Sequence, residues 1–137
     1  MFSNKDKKID ENSYLVKIAA LLIHAAKIDE KYSDKEKEIV KKTLLELGAN
    51  QDDLETLIIN AKQKEEESNQ ILDFTKEIKK MDQNKKIKII KSLWKIIYSD
   101  KDADIYETNL MRRLSGLLYI DNKIMGDIKE QIKKENL

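Results

Sequence analysis

Residues 14–28 read YLVKIAALLIHAAKI, and this stretch decides the fold. All of its residues are apolar except Lys17, His24 and Lys27. Apolar side chains on nearly every side of a helix predict burial over most of its circumference, rather than along one stripe. The stretch is shorter than the roughly 20 apolar residues that cross a bilayer. The sequence therefore predicts a central core helix and no membrane-spanning segment.

The composition favours a single domain made only of helices. Among 137 residues there are three glycines and no proline, while good helix formers such as Leu, Ile, Lys and Glu are abundant. With 27 basic and 26 acidic residues, the formal net charge of +1 gives no general attraction to nucleic acid or to an anionic membrane. The absence of cysteine excludes disulfides, thiolate nucleophiles and iron–sulfur ligation, and it is compatible with a cytoplasmic location.

Six more helices are predicted after the central one. Ser33 and Glu36 form an S-x-x-E capping box that opens the second helix. The later helices are expected to open at five capping residues, namely Asn50, Ser68, Asp82, Asp104 and Asp121. The helix after Asp82 is apolar nearly all round, which predicts a second central helix with Trp94 in the core. Residues 1–12 are polar and aperiodic, which predicts a flexible N-terminal tail before a helical domain at residues 13–137.

A shift of 71 positions aligns the two halves of the chain. Four of the matched pairs are Ile18 with Ile89, Leu22 with Leu93, Asp29 with Asp100, and Glu36 with Glu107. Each half is then a buried helix, an acidic segment and a capped amphipathic helix. The sequence therefore predicts an all-α bundle of about seven helices with two pseudosymmetric halves, and with the acidic segments in related positions.

The second acidic segment is the denser of the two. It places four carboxylates within eight residues, namely Asp100, Asp102, Asp104 and Glu107. At an effective dielectric near 20 and a separation of about 6 Å, each unshielded pair repels by roughly 2–3 kcal/mol. A helix N-terminus or a hard divalent cation would offset this repulsion. An EF-hand is excluded, because Ile105 and Met111 stand where its loop needs glycine and a bidentate acid.

Helix capping accounts for part of this acidity. Asp104 as N-cap residue with Glu107 at the third helical position would form one capping box, as Ser33 and Glu36 do in the first half. Capping leaves three acids unexplained, namely Asp29, Asp100 and Asp102. These three are the residues that favour a bound cation.

The same residues carry a resemblance to a known family. An Ala- and Leu-rich helix, then Asp29 and, seven residues on, Glu36, resembles the tellurite-resistance TerB family. The second half repeats the pattern, with Asp100 and Glu107 after LWKIIYS at residues 93–99. The resemblance covers roughly residues 14–132. It implies a cytoplasmic all-helical bundle with pseudosymmetric halves that works in tellurite and wider chemical-stress systems.

The resemblance also implies ligands and partners. It points to Asp29, Glu36, Asp100 and Glu107 as positions that bind a divalent cation such as calcium or magnesium. The crowding of the second segment adds two more candidates, so the predicted metal ligands are Asp29, Glu36, Asp100, Asp102, Asp104 and Glu107. Some family members work beside membrane partners, so a protein partner is expected, associated with a membrane in some systems. Neither nucleic-acid binding nor direct membrane insertion is expected.

The remaining polar residues favour ordinary structural roles. His24, the only histidine, is more often a core residue than a ligand or base, and no nucleophile has a base and an orienting group beside it in the sequence. The charged run at residues 62–67 is interpreted as a solvated helix end or linker. Arg112 and Arg113 suit a phosphate or an acidic partner, although a solvated helix face is the commoner explanation. The prediction is a non-enzymatic module, and its alternative is a metal-free helical adaptor whose acids only cap helices.

Overall fold

The computed structural model describes residues 2–28, 32–100 and 105–135, with side chains described for 13–28, 32–99 and 107–135. These ranges contain seven α-helices and no strand. The helices are α1 (Phe2–Lys27), α2 (Asp34–Glu46), α3 (Leu54–Glu67), α4 (Leu72–Ile78), α5 (Gln83–Ile97), α6 (Ile105–Leu117) and α7 (Asn122–Glu135). Short 3-10 helices lie at Gln51–Asp53 and Tyr98–Asp100. The predicted all-α class is confirmed.

Helix α1 is the central helix that its sequence predicts. Every residue from Ile18 to Ile23 is at most 1% exposed, although these residues point to all sides of the helix. Such burial requires neighbours all round, and α1 contacts α2, α3, α4 and α5. Burial of so many aliphatic side chains makes α1 the main source of hydrophobic stabilisation.

The N-terminal end of α1 is longer than the sequence indicates. The helix begins at Phe2 rather than near Ser13, so the segment predicted as a tail is helical and continuous with the core helix. Residues 2–12 contain neither glycine nor proline, so nothing in the backbone chemistry stops the helix from extending there. That this segment moves relative to the domain stays a prediction.

Helix α5 is the second central helix. It contacts α1, α2 and α7, and most of its last three turns is buried, including Trp94. Its first turns also bury a charged residue, because the Lys86 ammonium donates a hydrogen bond to the Leu118 carbonyl oxygen at 3.0 Å. That carbonyl follows the end of α6, where the helix dipole favours a positive charge.

The helix caps agree with the sequence at some positions and differ at others. Asp82 opens α5 by accepting a hydrogen bond from the Lys85 backbone N–H at 2.9 Å. Asn50 makes no side-chain cap, since the chain enters α3 through a 3-10 turn instead. Ser68 does not open α4, because its N–H bonds to the Lys64 and Glu65 carbonyls and thereby ends α3. The predicted caps at Asn50 and Ser68 are therefore wrong.

The two halves keep the register of the 71-residue shift. Helices α2 and α6 have 13 residues each, and they begin at Asp34 and Ile105. The matched residues Val40 and Met111 are both buried in these helices. Each half therefore places a helix of the same length after its central helix, in the same register.

Candidate functional site

Glu36, in the first turn of α2, is a buried carboxylate. It is only 1% exposed, and its Oε1 accepts a hydrogen bond from the Ser33 backbone N–H at 2.8 Å. Ser33 Oγ in turn accepts from the Glu36 N–H at 3.2 Å, which completes the predicted capping box. Burying a charge is costly unless hydrogen bonds and a favourable field offset it, and the helix N-terminus supplies both. Glu36 is therefore held in a fixed place at the junction of α1 and α2.

Tyr32 places a second oxygen near this carboxylate. Burial, and then the negative charge of Glu36, raises the pKa of Tyr32 to about 12. Its hydroxyl is buried and makes no hydrogen bond to any described residue. The ring faces two cations, with the ammonium groups of Lys37 and Lys62 at 5.5 and 5.4 Å from its centroid. The junction therefore has a neutral hydroxyl beside a buried carboxylate, and no described residue is its hydrogen-bond partner.

Glu107 is the corresponding residue of the second half. It lies in the first turn of α6 and is 4% exposed. A tyrosine is again close, since burial, then Glu130 and then Glu107 raise the pKa of Tyr98. The two tyrosines are not equivalent, because Tyr32 lies within the first acidic segment, between Asp29 and Glu36, whereas Tyr98 precedes the second. The buried glutamate is thus the shared feature, and each half surrounds it differently.

Two of the six predicted metal ligands, Glu36 and Glu107, have described side chains. Asp29, Asp102 and Asp104 lie outside the described residues. Asp100 is described only in its backbone, as the last residue of the 3-10 helix that follows α5. Among the side chains that are described, no three His, Cys, Asp or Glu residues are grouped so that they could hold a metal ion. Cation binding by the six acids, which the sequence predicts at two related acidic segments, therefore stays a prediction.

The end of α1, which precedes the first acidic segment, lies close to α6, which follows the second. A cavity of about 500 Å³ is lined by His24, Ile28, Ile71, Asn109, Leu110 and Arg113. These residues belong to the last turn of α1, the start of α4 and the first turns of α6. The end of α1 and the start of α6 are thus neighbours. We call this region the acidic end of the bundle.

The sequence does not predict a charged cluster that lies at this end. The Lys27 ammonium lies 2.8 Å from Glu65 Oε2, and His24 Nδ1 lies 3.3 Å from Glu65 Oε1. The hydrogen bond to Glu65 raises the pKa of Lys27. The Glu65 side chain is only 10% exposed, so it does not belong to a solvated helix end, and His24, with its side chain 37% exposed, is not a core residue. Glu65 follows Ala61 by four positions on the buried face of α3, and that spacing is the signal that could have found it.

Comparison with known proteins agrees with these observations. The family model described as tellurite resistance protein TerB matches residues 15–130 of the 137. Comparisons with curated proteins and with solved structures return no match. In the described part of the chain, no helix is both long enough and apolar enough to cross a membrane. The family match spans both central helices, both buried glutamates and nearly all of the seven-helix bundle, and the chain therefore belongs to the TerB family.

Proposed function

We propose that this chain is a non-enzymatic stress-response module of the tellurite-resistance type that binds a divalent cation, calcium or magnesium, at its acidic end. The observation that carries the proposal is the pair Glu36 and Glu107. Both occupy the first turn of corresponding helices, and both are almost fully buried. Surface acids that serve only solubility do not need burial, and a charged side chain is seldom buried without a structural or binding role.

The chemistry of the described residues fits a hard cation. Calcium and magnesium prefer oxygen ligands, above all carboxylates. Glu36 and Glu107 supply carboxylate oxygens, and the Tyr32 hydroxyl is a buried oxygen that lacks a partner among the described residues. Under the proposal these residues hold the cation together with Asp29, Asp100, Asp102 and Asp104. The cation, when bound, supplies positive charge that offsets the repulsion among these acids.

The residues of the chain would then present a binding surface. Glu36 ties the start of α2 to the site, and Glu107 does the same for α6. Holding both junctions fixes the acidic end in one conformation, which a protein partner can recognise. We propose a cytoplasmic location for the chain and, in some systems, a membrane-associated partner.

A cation titration followed by thermal unfolding tests this proposal. Protein treated with a chelator is titrated with calcium chloride and, separately, with magnesium chloride at constant ionic strength. At a hundred times the dissociation constant, a bound ion stabilises the folded state by about 2.7 kcal/mol. The melting temperature is expected to rise in a saturable manner. An unchanged melting temperature at millimolar ion would contradict cation binding.

Glutamine variants separate ligation from capping. Glu36→Gln and Glu107→Gln keep a carbonyl oxygen that can accept a capping hydrogen bond, but they remove the charge. Both variants are expected to fold in chelator and to lose most of the cation response. Glu38→Gln is the matched control, because Glu38 is an exposed glutamate on the same helix as Glu36. Equal cation responses in all three variants would place the ion elsewhere.

One observation favours the alternative, a metal-free helical adaptor. Glu36 already completes a capping box with Ser33, and that role needs no ion. Under this alternative neither the wild-type protein nor Asp100→Ala responds to calcium. The substitution then changes the free energy of unfolding only by a cap-sized amount of about 1 kcal/mol. Exposed helix faces, rather than a cation-ordered end, would then bind the partner.

A further inference from the structure

Trp94, the only tryptophan of the chain, has an unsatisfied hydrogen-bond donor. The side chain is 4% exposed, and its indole nitrogen is buried without an acceptor among the described residues. Buried donors are nearly always paired in folded proteins, so each exception needs an explanation. The neighbouring tyrosine does not provide one, since Tyr98 stacks on the indole at a centroid distance of 5.8 Å.

A small cavity lies against Trp94, between α5, α6 and α7. Its volume is about 170 Å³. The lining residues are Trp94, Thr108, Met111, Arg112, Ser115, Asn122, Met125, Gly126 and Lys129. Trp94, Met111 and Met125 are buried and form an apolar floor, whereas Arg112 and Asn122 are exposed at the rim. The cavity therefore combines an apolar interior with polar groups at its mouth.

The polar groups of this cavity are mainly donors. Arg112 and Lys129 are both cationic, and neither forms an ion pair with a carboxylate in the described part of the chain. Ser115 Oγ lies 3.3 Å from Asn122 Oδ1, which leaves the Asn122 amide N–H groups for another acceptor. None of the described residues that line the cavity is acidic. A ligand that complements it must bring negative charge and hydrogen-bond acceptors.

We propose that this cavity binds a small organic carboxylate, a site on a different face from the acidic end. The carboxylate lies between Arg112 and Lys129, and the guanidinium can donate two parallel hydrogen bonds to it. The apolar body packs on Met111 and Met125. Because the cavity is smaller than the 300–1,000 Å³ of most drug-sized sites, the ligand has roughly ten non-hydrogen atoms.

The Trp94 indole becomes part of the site after the Lys129 side chain moves. The Lys129 ammonium lies 5.6 Å from the centroid of the Trp94 ring and so covers it on one side. When a carboxylate draws the ammonium to the rim, the apolar body of the ligand packs against the uncovered ring, and the surroundings of the indole N–H change. An inorganic anion has no apolar body to fill the floor, so we expect it to bind the two cations too weakly to hold the ammonium away from the ring.

The test uses the single indole resonance of the full chain. Benzoate is titrated into ¹⁵N-labelled protein at constant ionic strength, and the Trp94 indole N–H signal and the tryptophan fluorescence are followed. A saturable shift of the indole proton is expected. Benzyl alcohol and inorganic phosphate are expected to leave this signal in place. A static indole signal with benzoate, or an equal shift with benzyl alcohol or phosphate, would overturn the proposal.

Variants of the two cationic residues locate the ligand, with a neighbouring arginine as the control. Arg112→Gln and Lys129→Gln are each expected to weaken benzoate binding about tenfold or more, since each removes a charged hydrogen bond. Arg113→Gln is the control, because Arg113 is the next residue of α6 and faces the cavity at the acidic end instead. It is expected to bind benzoate like the wild type. An equal loss in Arg113→Gln would show that only general positive charge attracts benzoate, which would also refute the site.

Discussion

At the scale of single residues, Tyr32 shows how the fold leaves a polar group incomplete. Its ring contacts two ammonium groups, while its hydroxyl is buried without a described partner. Burial and the nearby Glu36 charge both disfavour the phenolate, and both therefore raise its pKa. In the unfolded chain the same hydroxyl has the ordinary tyrosine pKa near 10. Folding thus binds a proton more tightly at this position.

The consequence for stability is a pH dependence at alkaline pH. Because the folded pKa of Tyr32 is about 12, its contribution is complete below pH 10 and is lost as the pH rises from about 10 to 12. Tyr32→Phe removes the titrating group without breaking a hydrogen bond to a described residue. The free energy of unfolding, measured by urea denaturation between pH 8 and 12, should fall less steeply in Tyr32→Phe than in the wild type. Parallel curves would show that Tyr32 titrates alike in both states.

At the scale of helices, a buried pair of hydroxyl groups joins α2 to the central helix α5. Thr43 Oγ1 lies 2.6 Å from Ser92 Oγ and 2.7 Å from the Ile39 carbonyl oxygen. Ser92 Oγ donates to the Lys88 carbonyl oxygen at 3.0 Å. Both residues are buried, so their polar groups are satisfied by each other and by their own helices. This contact is a polar link between α2 and α5.

A double-mutant cycle measures that link. Thr43→Val and Ser92→Ala are each expected to destabilise the protein by about 1 kcal/mol, because each leaves the partner hydroxyl with one hydrogen bond fewer. The double variant should lose less than the sum, with a coupling of roughly 0.5–1.5 kcal/mol. Urea denaturation at pH 7 gives all four free energies of unfolding. Strictly additive losses would mean that the two hydroxyls do not stabilise each other.

At the scale of the whole molecule, we expect the cooperative unit to begin after the N-terminal segment. Among the described side chains of α1, the buried ones start at Leu15, and the family match begins at residue 15. The helix nevertheless continues back to Phe2. An isolated helical extension is marginal in water without packing to support it.

Removing residues 2–12 should therefore leave the domain intact. The truncated chain is expected to keep the free energy of unfolding of the full chain to within about 1 kcal/mol, as is usual for changes outside the core. Thermal and urea unfolding of the two chains, compared by circular dichroism, give the difference. A loss well above 2 kcal/mol would show that this segment packs on the domain and is no tail.

The helices and the repeat could be predicted because their causes are local. The apolar periodicity of α1 and α5 and the Ser33–Glu36 capping box depend on neighbours within a few residues, and the structure confirms them. The ion pair of Glu65 with Lys27 could not be predicted in the same way, because Lys27 lies on another helix. The sequence predicts the core position of Trp94. It does not predict that the indole N–H has no acceptor among the described residues, because that depends on how α5, α6 and α7 pack together. Of the predicted ligands, Glu36 and Glu107 show that burial follows the repeat, while cation binding by the six acids at two related segments stays a prediction.

The burial of the Lys86 amine determines when chemical labels can reach it. It is the one lysine among the described residues that is buried, and its hydrogen bond to Leu118 holds it between α5 and the end of α6. Reagents that acylate amines reach the outer lysines of the native protein but not this one. A label found on Lys86 therefore shows that α5 and the end of α6 had separated in that molecule. Labelling of this one amine thus measures local opening of the native protein.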